Sequence, residues 1–180
     1  MQYKGNDTNK WLNLNMEASM ETGTDLFIHE LKDIYDAELK LVNALETMAN
    51  KVENPDLSGA FEEHRKVTQG QAERLEKVFS LVDRKPSREP CKGINGLIEE
   101  FSTFVQENPS DAVLNVFATG AALKVEHYEI TAYQSLIKLA DQLGLSEAAE
   151  LFEKTLTEEQ ETATELEAMS DKLGQELPSS

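Results

Sequence analysis

Residues 31–52 read LKDIYDAELKLVNALETMANKV, and residues 122–143, which lie 91 positions later, read ALKVEHYEITAYQSLIKLADQL. Alternating steps of three and four residues through the first stretch meet Glu38 among apolar side chains only: Leu31, Ile34, Leu41, Leu45, Met48 and Val52. The same steps through the second stretch meet Glu129 among Ala122, Val125, Ala132, Leu136, Leu139 and Leu143. Such steps follow one face of an α-helix, so each stretch predicts a helix whose buried face contains one glutamate.

The stretch that follows each of these helices has apolar ends and a polar centre. In the first copy the centre is His64, Thr68 and Gln71, between Leu57, Phe61 and Leu75, Val78, Val82. In the second copy it is Thr155, Glu159 and Thr162, between Ala148, Phe152 and Leu166, Met169, Leu173. Because the offset stays at 91 residues, the loop inside each pair of helices has the same length. The sequence therefore predicts two similar helical hairpins, at residues 25–83 and 111–173.

The segment between the hairpins, residues 84–110, contains prolines and one short amphipathic stretch. Pro86 and Pro90 exclude a continuous helix, whereas Ile94, Leu97, Ile98, Phe101 and Val105 have helical spacing. A connector of this length can run along a whole bundle, and one long crossover is typical of ferritin-like folds. We therefore predict an all-α, ferritin-like four-helix bundle as a single domain at residues 25–173, with flexible tails at 1–23 and 174–180.

Local signals predict where the helices begin and end. Thr24 or Asp25 can cap the first helix, and Ser146 can cap the last. Gly144 is expected to end the third long helix, since glycine readily adopts the left-handed conformation that follows a helix.

Composition restricts the classes of function. The 180 residues have a formal net charge of −17, which argues against binding to nucleic acids or to anionic membrane surfaces. No apolar run approaches the ~20 residues that span a bilayer, and the first residues lack the pattern of a signal peptide. Cys91 is the only cysteine, so no disulfide can form within the chain. A cytoplasmic protein is expected.

The four predicted helices bring acidic side chains into the middle of the bundle. Glu38, Glu129 and Glu159 fall near mid-length, with His64 close to them. Carboxylates that converge in a dry interior repel one another and lose their hydration. Bound divalent metal ions can compensate this cost. Alternatively, the acids are protonated or accept hydrogen bonds from neighbours, namely Thr68, Gln71, Thr155, Thr162 and the tyrosines.

The positions can be compared with those of di-iron bundles, which use one glutamate from each of two helices and a Glu-x-x-His pair from each of the others. Glu38 and Glu129 match the first role. The paired positions contain Thr68-x-x-Gln71 and Glu159-x-x-Thr162, so they supply one strong ligand, Glu159, and one weak one, Gln71. Glu126 lies three residues before Glu129 and can chelate with it. The predicted metal ligands, enough for one ion or a partly filled pair, are Glu38, His64, Glu126, Glu129 and Glu159.

Several segments resemble the YciE/YciF stress-protein family of the ferritin-like superfamily. The strongest is KVEHYEI at 124–130, followed by Tyr133, and the others occur in the same order as in the family: FIHELKDIYDAE at 27–38, AFEEH at 60–64, ERL at 73–75 and GLIEE at 96–100. The resemblance covers roughly residues 25–173. Relatives commonly carry acids just after the histidine of the second helix, where this chain has Arg65, Lys66 and Val67.

The resemblance implies a ferritin-like bundle that is usually dimeric and is associated with bacterial stress responses. Two hypotheses follow. The first is a stress-associated metalloprotein that binds iron or manganese, as one or two ions, and supports peroxide or oxygen chemistry. The second is a metal-free helical stress or interaction protein, which keeps the ferritin-like scaffold without catalysis or cofactor. Under both hypotheses we expect a homodimer.

Overall fold

The computed structural model describes residues 20–178, and all regular secondary structure in this range is helical. The helices are α1 (Gly23–Lys51), α2 (Pro55–Leu81), α3 (Lys92–Gln106), α4 (Asp111–Gln142) and α5 (Ser146–Gly174). Among the described helices, none has the length and apolar character needed to cross a membrane. Residues 1–19 of the predicted N-terminal tail lie outside the described residues. Gly23, the last residue of that predicted tail, already belongs to α1. Residues 179 and 180 of the predicted C-terminal tail also lie outside them.

The four long helices form a bundle, in which α1 packs on α2 and α4, and α5 packs on α4 and α2. One end of the bundle brings together Thr24, Val82 and Leu143, from the start of α1 and the ends of α2 and α4. At the other end Lys172 of α5 pairs with Asp56 of α2 at 3.3 Å. The connector that contains α3 must therefore run the length of the bundle. The predicted all-α bundle with one long crossover is confirmed.

Side chains cap the first two helices. Thr22 and Asp25 form a capping box, because the Thr22 hydroxyl accepts from the Asp25 backbone N–H and the Asp25 carboxylate accepts from the Thr22 N–H. The prediction that Thr24 or Asp25 caps the first helix is wrong, because Thr22 caps it and α1 begins at Gly23. Asn54 caps α2 by accepting from the Leu57 N–H at 3.0 Å, and Pro55 takes the first helical position, where no hydrogen bond is lost.

The turn between α4 and α5 is tighter than predicted. Gly144 follows α4 with φ of 71°, as expected of a glycine that ends a helix. The prediction that Ser146 caps α5 is wrong, because Ser146 is already helical and Leu145 takes the cap position without a side-chain hydrogen bond. The Leu145 N–H donates to the Ala140 carbonyl at 2.8 Å, so the chain passes directly from one helix into the next.

The interior contains two apolar clusters with polar side chains between them. One cluster includes Phe27, Phe79, Leu136 and Phe152, and the other contains Phe61 and its neighbours near the opposite end. In α2, α4 and α5 the residues between the clusters are polar and buried: His64, Thr68, Gln71, Glu126, Glu129, Thr155 and Glu159. Buried polar groups need compensating partners, so this layer is the candidate functional site.

Helix α4 is rotated relative to the predicted face. Val125 and Ala132, which the repeat assigns to the core, are only half-buried, whereas Glu126 and Tyr133 are fully buried. The reason is that α4 packs on α3 as well as on α1 and α5, so one side of it is covered by a helix that has no counterpart in the repeat.

The connector is attached to the bundle through Asp36, a buried residue of α1. Its carboxylate accepts from the Cys91 backbone N–H and from Arg88 Nε, both at 2.8 Å, and also contacts Lys40. These partners lower the pKa of Asp36 against the opposing effect of burial. This attachment holds the start of α3 against α1 and α4, beside the polar layer.

Candidate metal centre

Four buried side chains come together in the polar layer. His64, Glu126, Glu129 and Glu159 each offer one ligand atom, and these atoms all lie within 4.8 Å of one another. Glu126, Glu129 and Glu159 are no more than 1% exposed, and His64 is 7% exposed. The structure therefore brings together four of the five side chains that the sequence predicted as ligands.

Three helices position these four groups. His64 comes from α2, Glu159 from α5, and Glu126 and Glu129 from α4. The three-residue spacing of the two α4 glutamates places them on the same side of the helix, one turn apart. His64 Nε2 lies 3.1 Å from Glu126 Oε1, so an imidazole and a carboxylate are already in contact.

Glu38, the fifth predicted ligand, lies outside the group of four. Its Oε1 accepts a short hydrogen bond from the Tyr133 hydroxyl, and both side chains are completely buried. Its other oxygen, Oε2, has no hydrogen-bond partner. Glu38 still acts on the group electrostatically, because its negative charge helps to raise the pKa values of His64, Glu129 and Glu159.

The carboxylates of this layer lack hydrogen-bond donors. Tyr133 supplies the one side-chain hydrogen bond to them that is found within residues 20–178. The contact between His64 and Glu126 is close but does not have hydrogen-bond geometry. The buried oxygens without a partner are Glu38 Oε2, Glu126 Oε1, Glu126 Oε2, Glu129 Oε1, Glu159 Oε1 and Glu159 Oε2. Such atoms are costly to bury unless a proton or a cation reaches them.

Burial and mutual repulsion make the carboxyls of Glu38, Glu129 and Glu159 hold protons strongly. Burial, followed by repulsion from neighbouring carboxylates, raises the pKa of Glu129 and Glu159 well above its ordinary value. Burial also raises the pKa of Glu38, to about 8, although the Tyr133 hydrogen bond and His64 oppose the increase. For His64, burial alone would lower the pKa, but Glu126 and Glu38 outweigh it and raise the pKa.

Tyr133 is one of the alternative donors that the sequence offered, but the threonines and Gln71 point elsewhere, and Thr155 donates to the Leu151 carbonyl. Thr68 donates to the His64 carbonyl, and Gln71 donates to Glu158 at 3.3 Å. Thr162 donates to the Glu158 carbonyl, with its hydroxyl also 3.5 Å from His64 Nδ1. In the part of the chain that the structure describes, none of these side chains donates to the central carboxylates, and Gln71 Oε1, the weak ligand expected from the sequence, is buried without a hydrogen-bond partner.

Arg74 is a feature that sequence reasoning missed. Its guanidinium makes two hydrogen bonds to Glu158, at 2.9 and 3.0 Å, and a third to the Thr155 hydroxyl. It lies on the α2–α5 side of the polar layer, and its positive charge opposes the rise in the pKa of Glu38. The segment Glu73-Arg74-Leu75 is part of the family resemblance, but the sequence does not show that Arg74 packs against α5. Only 11% of the Arg74 side chain is exposed.

Fold and site together define the class: a ferritin-like four-helix bundle with a carboxylate- and histidine-lined core. A family model described as a domain of unknown function, DUF892, matches residues 22–177. Protein YciF of Escherichia coli (strain K12) is 42% identical over 149 residues, covering 82% of this chain and 90% of YciF. The chain therefore belongs to the DUF892 family, and its predicted membership of the YciE/YciF stress-protein family is confirmed.

Solved structures agree with this assignment. The crystal structure of the E. coli stress protein YciF matches with a TM-score of 0.84 and 38% identity, covering 88% of this chain and 100% of that one. YcfI from Rhodopseudomonas palustris matches with a TM-score of 0.82 and 37% identity, covering 85% of this chain and 98% of its own.

Proposed function

We propose that this protein binds iron or manganese in the bundle core, through His64, Glu126, Glu129 and Glu159, with Glu38 as an additional ligand. The observation that carries the proposal is the set of buried carboxylate oxygens without hydrogen-bond partners, which lie around a histidine in the bundle core. A divalent cation would neutralise their charge and satisfy their lone pairs. Among the described residues, Arg74 borders that layer with a permanent positive charge, but its guanidinium is engaged by Glu158.

The ligand types favour iron or manganese. Carboxylates suit hard cations such as manganese, and an imidazole adds preference for iron and other transition metals over magnesium or calcium. The described residues place no thiolate in the group, so a soft ion such as Cu(I) is disfavoured. When bound, such a redox-active ion would supply peroxide or oxygen chemistry. Because its relative YciF is a stress protein, we propose a stress-associated role for this chain as well.

Metal analysis tests the proposal. Protein purified without chelator should contain near-stoichiometric iron or manganese, and adding Mn²⁺ to the metal-free protein should raise its melting temperature. Glu129→Gln and Glu159→Gln each remove a ligand, so both should lower the affinity for Mn²⁺ by at least about tenfold to a hundredfold, the loss that changing a residue behind a ligand already causes. Glu167→Gln, an exposed change on the same helix as Glu159, is the matched control and should bind like the wild type.

A metal-free scaffold is the competing function. It is favoured by the absence of Glu-x-x-His pairs and by the Tyr133–Glu38 hydrogen bond, which satisfies one acid without metal. On that alternative, we expect only trace metal and a melting temperature that Mn²⁺ does not change. We also expect Glu129→Gln to be more stable than the wild type, because that change removes a buried carboxylate. These three results together would refute metal binding.

We also propose that the chain forms a homodimer, as its resemblance to the YciE/YciF family led us to expect. Apolar side chains that are half-buried or exposed, Phe104, Val113 and Phe117, lie where α3 ends and α4 begins, and an interface there would cover them. Light scattering should then give twice the chain mass of 20.1 kDa. Val113→Glu should reduce that mass to one chain, since it puts a charge into the interface. A wild type that is already monomeric would contradict the proposal.

A further inference from the structure

A largely apolar cavity of about 80 Å³ lies between α1, α3 and α4 and reaches the candidate metal centre. Its walls come from all three helices and include Leu41 and Leu45 of α1, Leu97, Ile98 and Phe101 of α3, and Val125 of α4. His64 and Glu126, two of the four clustered side chains, also line it. The cavity therefore joins the metal centre to the surface beneath the crossover helix.

The polar groups of the cavity are separated by depth. Thr47 and Ser102 are exposed, so they mark the mouth of the cavity between α1 and α3. His64 and Glu126 are buried, so they mark its inner end. Glu126 Oε1 contacts His64 Nε2 at 3.1 Å, whereas Glu126 Oε2 is buried without a partner, which leaves one carboxylate oxygen as a hydrogen-bond acceptor at the inner end.

The charge of the inner end decides which kind of molecule fits. The three carboxylates clustered there, those of Glu126, Glu129 and Glu159, outweigh the charge of one divalent ion, so an anionic head group would be repelled. A charged head of either sign would also lose its hydration between apolar walls. A neutral molecule with an apolar body avoids both costs and gains by burying its surface.

We propose that this cavity binds a neutral organic molecule with a short alkyl body and a hydroxyl or hydroperoxyl head, whose O–H donates to Glu126. The alkyl body packs against the walls supplied by α1, α3 and α4. The inference rests on the proposed function, because it assigns the kind of organic molecule that binds beside the proposed metal ion.

The binding experiment uses tert-butanol as an unreactive probe and protein loaded with Zn²⁺, which is diamagnetic and suits methyl NMR. Titration should shift the methyl signals of Leu97, Ile98 and Val125 saturably. A second apolar cavity, lined by Ile28, Val82 and Leu143 at the far end of the bundle, is the internal control and should not respond. Pivalate, which has the same alkyl body and an anionic head, should bind at least about tenfold more weakly.

Variants at the mouth and in the wall identify the cavity as the site. Ser102→Trp at the exposed mouth and Ala44→Phe in the half-buried wall should each weaken tert-butanol binding by about tenfold or more, while the zinc content stays unchanged. Ala168→Phe, on an exposed part of α5 outside the cavity, should bind the probe like the wild type. Because Ser102 is exposed, its variant also guards against a folding defect in Ala44→Phe.

The outcomes separate this inference from the proposed function. Normal zinc content without saturable shifts at Leu97, Ile98 and Val125 would overturn the inference alone. Equal shifts at Val82 and Leu143, or undiminished binding by Ser102→Trp and Ala44→Phe, would overturn it as well, because the probe would then be partitioning without a site. Failure to take up any metal would overturn the proposed function itself.

Discussion

Glu38 and Tyr133 form a fully buried pair that satisfies one carboxylate oxygen of the polar layer without metal. The Tyr133 hydroxyl donates to one oxygen of Glu38 and leaves the other without a partner. Burial raises the pKa of Glu38, and this hydrogen bond opposes that increase by stabilising the carboxylate. Burial, with the nearby acids, raises the pKa of Tyr133 as well, so the phenol keeps its proton and remains a donor.

Removing that donor should destabilise the metal-free protein. Tyr133→Phe leaves a buried oxygen of Glu38 unpaired, so the free energy of unfolding should fall by about 1–3 kcal/mol. The loss should be greatest at about pH 9, where Glu38, with a pKa of about 8, is ionised. Urea denaturation followed by circular dichroism measures it.

Tyr35→Phe is the matched control for this change. Tyr35 also donates to a glutamate, Glu76, at 2.8 Å, but Glu76 is exposed and water can replace the lost donor. Its loss should be smaller, within about 0.5–1.5 kcal/mol. Equal losses in the two variants would mean that Tyr133 does not compensate a buried carboxylate.

At the scale of helices, Gly93 of the crossover helix α3 packs directly against the Tyr128 ring of α4. A Cβ atom at this position would lie 2.4 Å from Tyr128 Cε2, which is closer than two carbon atoms can come without displacement. The Tyr128 hydroxyl is 3.3 Å from Cys91 Sγ and donates to Asp33 at 3.4 Å, so its ring is held from two sides. Glycine is therefore required here by contact between helices.

A pair of glycine substitutions in α3 should have opposite effects. Gly93→Ala must displace the Tyr128 ring, so it should destabilise the protein by about 1–3 kcal/mol. Gly96→Ala, three residues later in the same helix, meets no atom within 4 Å and should stabilise it by about 0.4–1 kcal/mol, because alanine loses less backbone entropy on folding. Thermal denaturation of both variants measures the difference. Stabilisation by Gly93→Ala would show that α3 does not pack against Tyr128 as described.

At the scale of the whole molecule, the two apolar clusters stabilise the bundle while the polar layer between them works against it. The clusters bury most of the large side chains, including Phe27, Phe61, Phe79 and Phe152. The layer instead buries carboxyls that must carry protons, or bind a cation, for the bundle to close around them. The stability of the bundle is therefore tied to pH and to metal.

The metal-free protein should lose stability as the pH rises from about 4.5 to about 8. Unfolded Glu38 ionises near its ordinary value of 4.5, whereas folded Glu38 keeps its proton until about pH 8. The folded chain binds more protons in this window, so the free energy of unfolding falls by about 1.4 kcal/mol per pH unit for this group. Glu129 and Glu159, whose pKa values are also raised, act in the same direction. Urea denaturation across the window measures the slope.

Glu38→Gln should reduce that slope by up to about 1.4 kcal/mol per pH unit, because it removes one of the groups that titrate differently in the folded and unfolded chain. Glu46→Gln, an exposed change on the same helix, should keep the wild-type slope and so controls for the general effect of charge. If the two variants had the same slope, the pH dependence would come from the acidic surface rather than from Glu38.

The sequence by itself determined the helices and the acidic character of the core. Steps of three and four residues place Leu31, Glu38 and Leu45 on one helical face, because the period of an α-helix depends on the backbone alone. For the same reason the repeat predicted that His64, Glu129 and Glu159 are buried, and the structure buries all three. The length of the connector was enough to predict the crossover.

Only the tertiary structure decided which acids meet. The rotation of α4, which buries Glu126 beside His64 and Tyr133 beside Glu38, depends on the packing of α3 against α4, and the repeat contains no equivalent of α3. Distances between side chains on different helices follow from such packing rather than from spacing along the chain. Periodicity therefore predicts which faces are buried, and contacts between helices determine which buried groups can bind a common ion.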